Sequence, residues 1–538
     1  MNHSTLLAEL VAAGAAHHPE RPAVTAGEAT FTYGDLAAAV TRFAAGLVHS
    51  GVGKQQRVAI FLEKRLETVI SMFGTAAAGA IFVPVNPVLK PPQVAYILRD
   101  CNVRVLVTSV DRHAALREEL SHCPDLADVF MTGATGHEPS SKHYGMHAFD
   151  ELLSAPARAA HRVIDTDVVA ILYTSGSTGR PKGVVLSHRN MVAGAKSVAS
   201  YLQNGPDDSL LAVLPLSFDA GFSQLTTGFH VGARVVLLNH LLPRDVVKAL
   251  ADERITGLTA VPPLYIQLAQ LRWPPAIDDH LRYFANTGGR MPFETLKRLR
   301  TLVPHAKPYL MYGLTEAFRS TYLPPEEVDR RPDSIGKAIP NAEILVLRDD
   351  GTPCAPNEPG ELVHRGALVA LGYWNDPIKT AERYKPLRLE SGLTLPEIAV
   401  FSGDTVRADE EGYLYFIGRR DEMIKTSGYR VSPTEIEEAL YTTGLVGEVA
   451  AFGVPHAVLG EAIVVVATAP PHGHVAERDL VARCRECLPT FMVPLRVEIR
   501  HGPLPRNPNG KIDRKRLALE LTEADSTRQA GTTGVAID

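Results

Sequence analysis

Cysteine is scarce in this chain. Five among 538 residues is a sparse, odd set, which argues against a disulfide-built fold and fits a reducing compartment. Cys484 and Cys487 form a C-x-x-C, but no second pair accompanies it and both fall in a helical pattern. They read as ordinary core or surface cysteines, not a metal or redox centre. Positive charge is not in excess. A net charge of −5 leaves no electrostatic footprint for nucleic acid. No apolar run approaches the length of a membrane span. Residues 1–20 lack a basic region ahead of an apolar core and carry Glu9 early, so they read as an amphipathic helix (Leu6, Leu7, Leu10, Val11) and not a signal peptide. A cytoplasmic protein is expected. Among many serines and 20 histidines there is no Gly-x-Ser-x-Gly elbow, which disfavours a covalent hydrolase. No internal repeat is visible.

What is present is length and alternation. A chain of 538 residues exceeds one compact core, so two or more domains are expected. Apolar runs at 58–62, 81–85 and 103–108 read as strands, with helical patterns at 66–78 and 93–100 between them. Such alternation predicts an α/β fold of parallel sheets covered by helices. Residues 132–146 have no periodicity and read as a surface loop. Further strands are predicted at 209–214, 234–238, 257–261, 283–287 and 308–312. The region 335–416 is richer in short strands and Gly/Pro/Asp turns, and reads as a β-rich subdomain. After Gly418 the character changes again. Ser432-Pro433-Thr434-Glu435 is a capping box that starts a helix. A strand at 462–468, a helix at 476–488 and a strand at 495–500 complete a small α+β domain. The residues after about Thr522 are small and polar and are expected to be disordered.

Chemistry concentrates in Thr174-Ser175-Gly176-Ser177-Thr178-Gly179-Arg180-Pro181-Lys182-Gly183, which follows the apolar run 168–173, read as a buried parallel strand. Glycines let backbone N–H groups approach a ligand, and hydroxyls and cations suit phosphate oxygens. Pro181 before Lys182 and Gly183 after it depart from the Walker pattern, so a P-loop NTPase is excluded. Tyr312-Gly313-Leu314-Thr315-Glu316 ends a predicted strand, where open α/β sheets place ligands. Thr315 could reach a phosphate and Glu316 could hold Mg²⁺; the bland alternative is a turn with an exposed Glu. Ser402-Gly403-Asp404-Thr405 offers an acceptor for ribose hydroxyls or is an ordinary turn. Gly418 to Arg430 reads as a charged interdomain linker when taken alone, and Asn507-Pro508-Asn509-Gly510-Lys511 as a polar turn presenting a lysine.

The order and spacing of these stretches together resemble the AMP-forming adenylate-forming superfamily: acyl-CoA synthetases, peptide-synthetase adenylation domains and luciferases. The resemblance runs from about residue 20 to about 518. The stretches Phe82-Val83-Pro84-Val85-Asn86-Pro87, Leu214-Pro215-Leu216-Ser217-Phe218-Asp219 and Gly313-Leu314-Thr315-Glu316-Ala317-Phe318-Arg319-Ser320-Thr321 are similar to acyl-CoA ligases of exosortase A systems and to stand-alone aminoacyl, prolyl-type, carrier-protein ligases.

The resemblance implies an adenylation core at 1–417, a hinge at 418–421 with Asp421 at its pivot, a mobile C-terminal domain at 422–520 and a disordered tail at 521–538. It implies two half-reactions. An acid attacks ATP to give acyl-AMP and pyrophosphate, then a phosphopantetheine thiol, of CoA or a carrier protein, displaces AMP. It assigns Thr174, Ser175, Gly176, Ser177, Thr178, Gly179 and Lys182 to the phosphates, with Tyr312, Gly313 and Thr315 also at the nucleotide. Glu316 is assigned to Mg²⁺ and Asp404 and Arg419 to the ribose. Lys511 is assigned to the acyl carboxylate and α-phosphate. Lys425, Gly428 and Arg430 are placed at the thioester step. The implied acid pocket comprises Asp219, Ala220, Ser223, Ala260, Asn286, Gly288, Met311, Arg319 and Ser320.

Asp219 stands where amino-acid-activating relatives pair an aspartate with the substrate ammonium. A buried carboxylate facing an uncharged chain is costly, which makes a small amino acid the leading substrate. The alternatives are an Asp219 turned away from the pocket, with a fatty, aryl or hydroxy acid as substrate, and a ligase that passes its adenylate to an amine. Arg319 is expected to pair with a protein carboxylate rather than with substrate. The basic run Arg496, Arg500, Arg506, Arg514, Lys515 and Arg516 suits an acidic carrier protein, the phosphates of CoA, or solvent.

Overall fold

The computed structural model describes residues 4–134, 141–174, 181–387, 397–419, 422–426, 429–456, 459–470, 473–488, 490–507 and 510–522. The chain divides into two compact units. The larger comprises residues 1–291, 297–345 and 363–402, the smaller 292–296, 346–362 and 403–538.

Two sheets build the larger unit. One runs in the order Gly372–Tyr373, Lys182–Ser187, Val168–Thr174, Ile81–Pro84, Arg57–Ile60, Val103–Ser109, Asp128–Thr132, Gly145–Ala148. Its pairings from Val168–Thr174 onward are parallel. The other includes, in order, Ser334–Ala338, Thr321–Leu323, Lys307–Tyr312, Tyr283–Asn286, Gly257–Ala260, Ser209–Ala212, Arg234–Leu237, Pro22–Ala26 and Ala29–Thr32. It is parallel from Lys307–Tyr312 to Pro22–Ala26. The α/β class is as expected, because fully buried parallel strands read as continuous apolar runs.

Aromatic packing ties the sheets through the helices Leu66–Ala78 and Asp219–Val231. Phe222 lies 5.1 Å from Phe82 and 5.8 Å from Phe73 between ring centroids. All three are fully buried, and each such ring contributes about 1.5–3 kcal/mol. The start of the second helix seats tightly on the loop before it. A Cβ at Gly221 would lie 1.9 Å from the Pro215 carbonyl oxygen, so only glycine permits that approach. This contact fixes where Asp219 stands.

The sequence reading needs correction at several points. The strand Val168–Thr174 is parallel only to Ile81–Pro84. On its other side it returns antiparallel as Lys182–Ser187, with Thr174 opposite Lys182. A buried run looks alike in either orientation. The strand Gly145–Ala148 begins within the last residues of the expected surface loop 132–146, of which 135–140 lie outside the described residues. Asp404 is not in a turn. It lies within the strand Glu397–Ala408, opposite Arg419 in the ladder.

The smaller unit holds a five-stranded sheet, Tyr429–Val431, Ile424–Thr426, Gly460–Thr468 and Val449–His456, with Arg496–Arg500 parallel to Gly460–Thr468. Ile436, Leu440, Val465 and Leu480 share its core. The stretch read as a charged linker thus supplies two strands. The helix Pro433–Tyr441 starts where expected, but Ser432 makes no side-chain cap bond. Cys484 is buried in the helix Glu477–Cys487. Among the described residues no helix is long and apolar enough to cross a membrane.

One buried histidine makes stability pH-dependent. The Leu7 N–H donates to His188 Nδ1 at 3.1 Å, so this nitrogen must carry a lone pair. Burial, opposed by Asp167, Glu9 and Asp165, pushes the imidazole down to about 4. Between an unfolded value of about 6.5 and that value the unfolded chain takes up a proton that the folded chain refuses. Stability therefore falls as pH falls through that window, by about 2 kcal/mol at pH 5. Urea unfolding of the protein and of His188→Gln at pH 7 and pH 5 checks this. The difference between the two proteins is expected to shift with pH by that amount.

Candidate active site

The C-terminal ends of the parallel strands gather the residues of the larger unit. Lys307–Tyr312 runs into a 3-10 turn, Thr315–Ala317. The chain then reverses at Phe318, whose φ of +57° lies in the left-handed region. A bulky residue there costs roughly 1–3 kcal/mol. The Phe318 ring is fully buried, and a Cβ on Gly194 would lie 2.3 Å from its Cδ1. This reversal returns Arg319 toward the helix Asp219–Val231.

Arg319 Nη1 donates to Asp219 Oδ2 at 2.8 Å and to the Phe318 carbonyl at 3.1 Å. Its side chain is 3% exposed against 15% for Asp219. The guanidinium is therefore the inner partner and the carboxylate the outer one. Thr315 Oγ1 stands 3.4 Å from Asp219 Oδ1. Arg319 does pair with a protein carboxylate, and that carboxylate is Asp219. Arg319 Nε is buried with no hydrogen-bond partner.

Between this helix, the helix His188–Tyr201 and the sheet lies a cavity of about 20 Å³. Ala220, Ser223, Met311 and Arg319 line it, joined by Gln224 and Thr227, which the sequence did not single out. Gln224 Oε1 and Thr227 Oγ1 are buried without hydrogen-bond partners. Asp219, Ala260, Asn286, Gly288 and Ser320 do not line it, although Arg319, the partner of Asp219, does. Asn286 donates to the Gly289 carbonyl at 2.7 Å, Gly288 turns at φ +75°, and Ser320 Oγ meets His364 Nδ1 at 2.9 Å.

Tyr373, also not singled out by the sequence, joins two expected residues. Its hydroxyl donates to Glu316 Oε1 at 2.6 Å. Lys182 Nζ sits 5.2 Å from the centre of its ring. Burial, then the Glu316 carboxylate, raises the Tyr373 hydroxyl far above the ordinary tyrosine range, so it remains a donor. Burial, then the Lys379 charge, holds the Lys182 ammonium below the ordinary lysine range. Lys182 and Glu316 thus meet around one phenol. Among the described residues no group of three His, Cys, Asp or Glu side chains could hold a metal. Glu316 offers one carboxylate oxygen beyond its bond to Tyr373. That donor set fits Mg²⁺ carried largely by nucleotide phosphates and water, and does not fit an all-protein cage.

In the smaller unit Asp404 is 9% exposed, and Arg419 Nε lies 3.4 Å from its Oδ1. Lys511 sits in a turn that its own backbone closes. The Asn507 N–H donates to the Lys511 carbonyl at 2.8 Å, the Lys511 N–H to Asn507 Oδ1 at 3.1 Å, and Gly510 adopts φ +79°. Arg514 reaches Glu437 at 2.7 Å and Glu422 at 3.1 Å. Ser175, Gly176, Ser177, Thr178, Gly179, Asp421 and Gly428 lie outside the described residues, as do the side chains of Lys425 and Arg430.

A doubly sheeted α/β core with Lys182, Tyr373 and Glu316 gathered at one strand end fits the class of adenylate-forming ligases, and the comparisons with known proteins show that class. The family model for AMP-binding enzymes matches residues 11–374, and that for the AMP-binding enzyme C-terminal domain matches 435–511. The chain is 32% identical over 542 residues to the L-proline–[L-prolyl-carrier protein] ligase of Streptomyces coelicolor, covering 94% of each. It is 31% identical over 549 residues to the long-chain-fatty-acid–CoA ligase of Salmonella typhimurium, covering 96% of this chain and 94% of the relative. The ATP-bound crystal structure of MatB from Rhodopseudomonas palustris matches with a TM-score of 0.83 and 26% identity, over 95% of this chain and 98% of that one. The chain belongs to the AMP-binding enzymes and is an AMP-forming acid–thiol ligase.

Proposed function

We propose that the protein adenylates a small amino acid with ATP and passes the aminoacyl group to a phosphopantetheine thiol, on CoA or on a carrier protein. The observation that supports this most is the setting of Asp219. The carboxylate opens a helix, where negative charge is favoured. Arg319 binds it from the buried side through a charge-assisted contact. A carboxylate has about four acceptor positions, so the outer edge of Asp219 can still accept from a substrate ammonium. The cavity of about 20 Å³ holds about one water molecule. Ser223, Gln224 and Thr227 give its lining polar groups, which are costly to bury against a fatty tail.

In this reading Thr174, Ser175, Ser177, Thr178 and Lys182 hold the β- and γ-phosphates. Thr315 and Tyr312 flank the nucleotide, Asp404 accepts from the ribose hydroxyls and Arg419 donates to them. Glu316, oriented by Tyr373, would hold Mg²⁺. When bound, Mg²⁺ neutralises charge on the departing pyrophosphate. Lys511 brings a compact cation to the point where two anions meet. Asp421 is the pivot between the half-reactions, and Lys425, Gly428 and Arg430 serve the thiol step. The few cysteines and the dependence on ATP fit a cytoplasmic enzyme.

A second reading, a small acid without an amino group, is favoured by the neutralisation of Asp219 by Arg319. Acid-dependent ATP–pyrophosphate exchange separates the two. The panel holds glycine, alanine, proline and larger amino acids beside fatty, aryl and hydroxy acids. Exchange is expected with a small amino acid and lost in Asp219→Asn. Exchange confined to unaminated acids and indifferent to that substitution would overturn the amino-acid reading.

A further inference from the structure

The small cavity beside Asp219 has a floor, and a second space lies beyond it. Leu202 and Tyr283 line this cavity, and both also line a cleft of about 280 Å³ that opens to the surface. The second space is walled by polar side chains, among them Asp278, His280, Arg282, His305 and Lys307. Tyr283 opens the strand Tyr283–Asn286. Asn286 stands at its C-terminal end, three residues or about 10 Å from Tyr283. The ring therefore lies at the deep end of the pocket, remote from the nucleotide edge of the sheet.

Tyr283 is 3% exposed and is held on three sides. Gly257, its ladder partner, provides a flat seat: a Cβ there would lie 2.4 Å from the ring's Cζ and Oη. Asn204 Nδ2 donates to the hydroxyl at 3.1 Å. Tyr309 meets the ring edge-on at 5.9 Å between centroids. A buried ring fixed this way has one orientation, and that orientation separates the two spaces.

We propose that Tyr283 is the partition that sets the length of acid this ligase accepts. The inference rests on the acid entering between the helix Asp219–Val231 and the sheet, but not on its carrying an amino group. Removing the ring opens the small cavity into the surface cleft. The polar walls beyond would receive an acid extended by a few carbons and ending in a hydrogen-bonding or charged group, rather than an alkyl tail.

The test is ATP–pyrophosphate exchange with Tyr283→Ala, Tyr283→Phe and Gly257→Ala. The substrates are two homologous series, α-amino acids and plain carboxylic acids, each with and without a terminal polar group. Tyr283→Ala is expected to raise kcat/KM for the longer polar-ended acids relative to the shortest by about tenfold or more. Tyr283→Phe keeps the wild-type length limit. Gly257→Ala, whose methyl displaces the ring and occupies the pocket, shifts preference to shorter acids. An unchanged length limit in folded Tyr283→Ala overturns the proposal. Should that variant not fold, an unchanged limit in Gly257→Ala overturns it instead. Exchange restricted to the plain series would defeat the amino-acid reading alone, because the length limit is still read in that series.

Discussion

Replacing Lys511 with alanine is expected to reduce acid-dependent ATP–pyrophosphate exchange by about 10²- to 10³-fold, the usual cost of removing one donor aimed at developing charge. Thiolysis of a supplied acyl adenylate should stay near the wild-type rate. In the first half-reaction a carboxylate approaches an α-phosphate, and two anions need a cation between them. In the second the thiol attacks a mixed anhydride whose phosphate charge is already set. The turn that presents Lys511 does not depend on its side chain. It is closed by the Asn507 N–H to Lys511 carbonyl bond, by Asn507 Oδ1 and by the left-handed Gly510. Alanine should therefore keep these bonds while removing the ammonium. Two assays decide the matter, isotopic exchange into ATP and thiol-dependent release of AMP from synthetic adenylate. Equal loss in both, or loss in neither, would remove Lys511 from the role. Lys511→Arg is expected to recover only part of the exchange, because a planar fork does not replace a compact charge on a flexible stem.

Local features were legible and distant partnerships were not. The helix Leu66–Ala78 could be bounded from the sequence because a strong apolar pattern stops at Gly79, whose φ of +79° ends the helix. The family's stretches declared the ligase because their order along the chain is specific, although each alone is weak. What escaped was set by residues far apart. Asp404 sits in Ser402-Gly403-Asp404, which has turn composition, yet the ladder with Leu414–Arg419 extends it and places Arg419 opposite. Tyr373 has no motif, and its bond to Glu316 spans 57 residues. Tyr283 looked like the first residue of an ordinary strand, and its place between a cavity and a surface cleft follows only from the packing of Gly257 and Asn204 around it. Ser432 had the cap sequence, but its side chain makes no cap bond. The identity of Arg319's partner, 100 residues away, had no local signal at all.

That partner carries the second large effect. Asp219→Ala would leave the Arg319 guanidinium buried, with one of its nitrogens already lacking a hydrogen-bond partner. Removing one member of a buried ion pair costs about 3–5 kcal/mol, because the surviving charge is uncompensated. The local backbone offers little slack, since Phe318 already holds a left-handed conformation directly before Arg319. A clear fall in melting temperature is therefore expected for Asp219→Ala. The double variant Asp219→Ala, Arg319→Leu should recover most of it, since apolar replacement of a whole buried pair is often neutral. The two proteins should also part in specificity. In the single variant the bare guanidinium repels a substrate ammonium, so exchange with amino acids should drop by at least about 10- to 100-fold, the worth of a charged hydrogen bond. An unaminated acid should lose less, and one with a second carboxylate should gain. In the double variant the repulsion is gone, and amino and plain acids should bind with little distinction. Equal stability of the single variant and the parent would mean that Arg319 finds another counter-charge. Equal selectivity would mean that Asp219 never faces the substrate. Stability and selectivity can fail independently, so the pair's structural role and its substrate role are tested by the same two proteins.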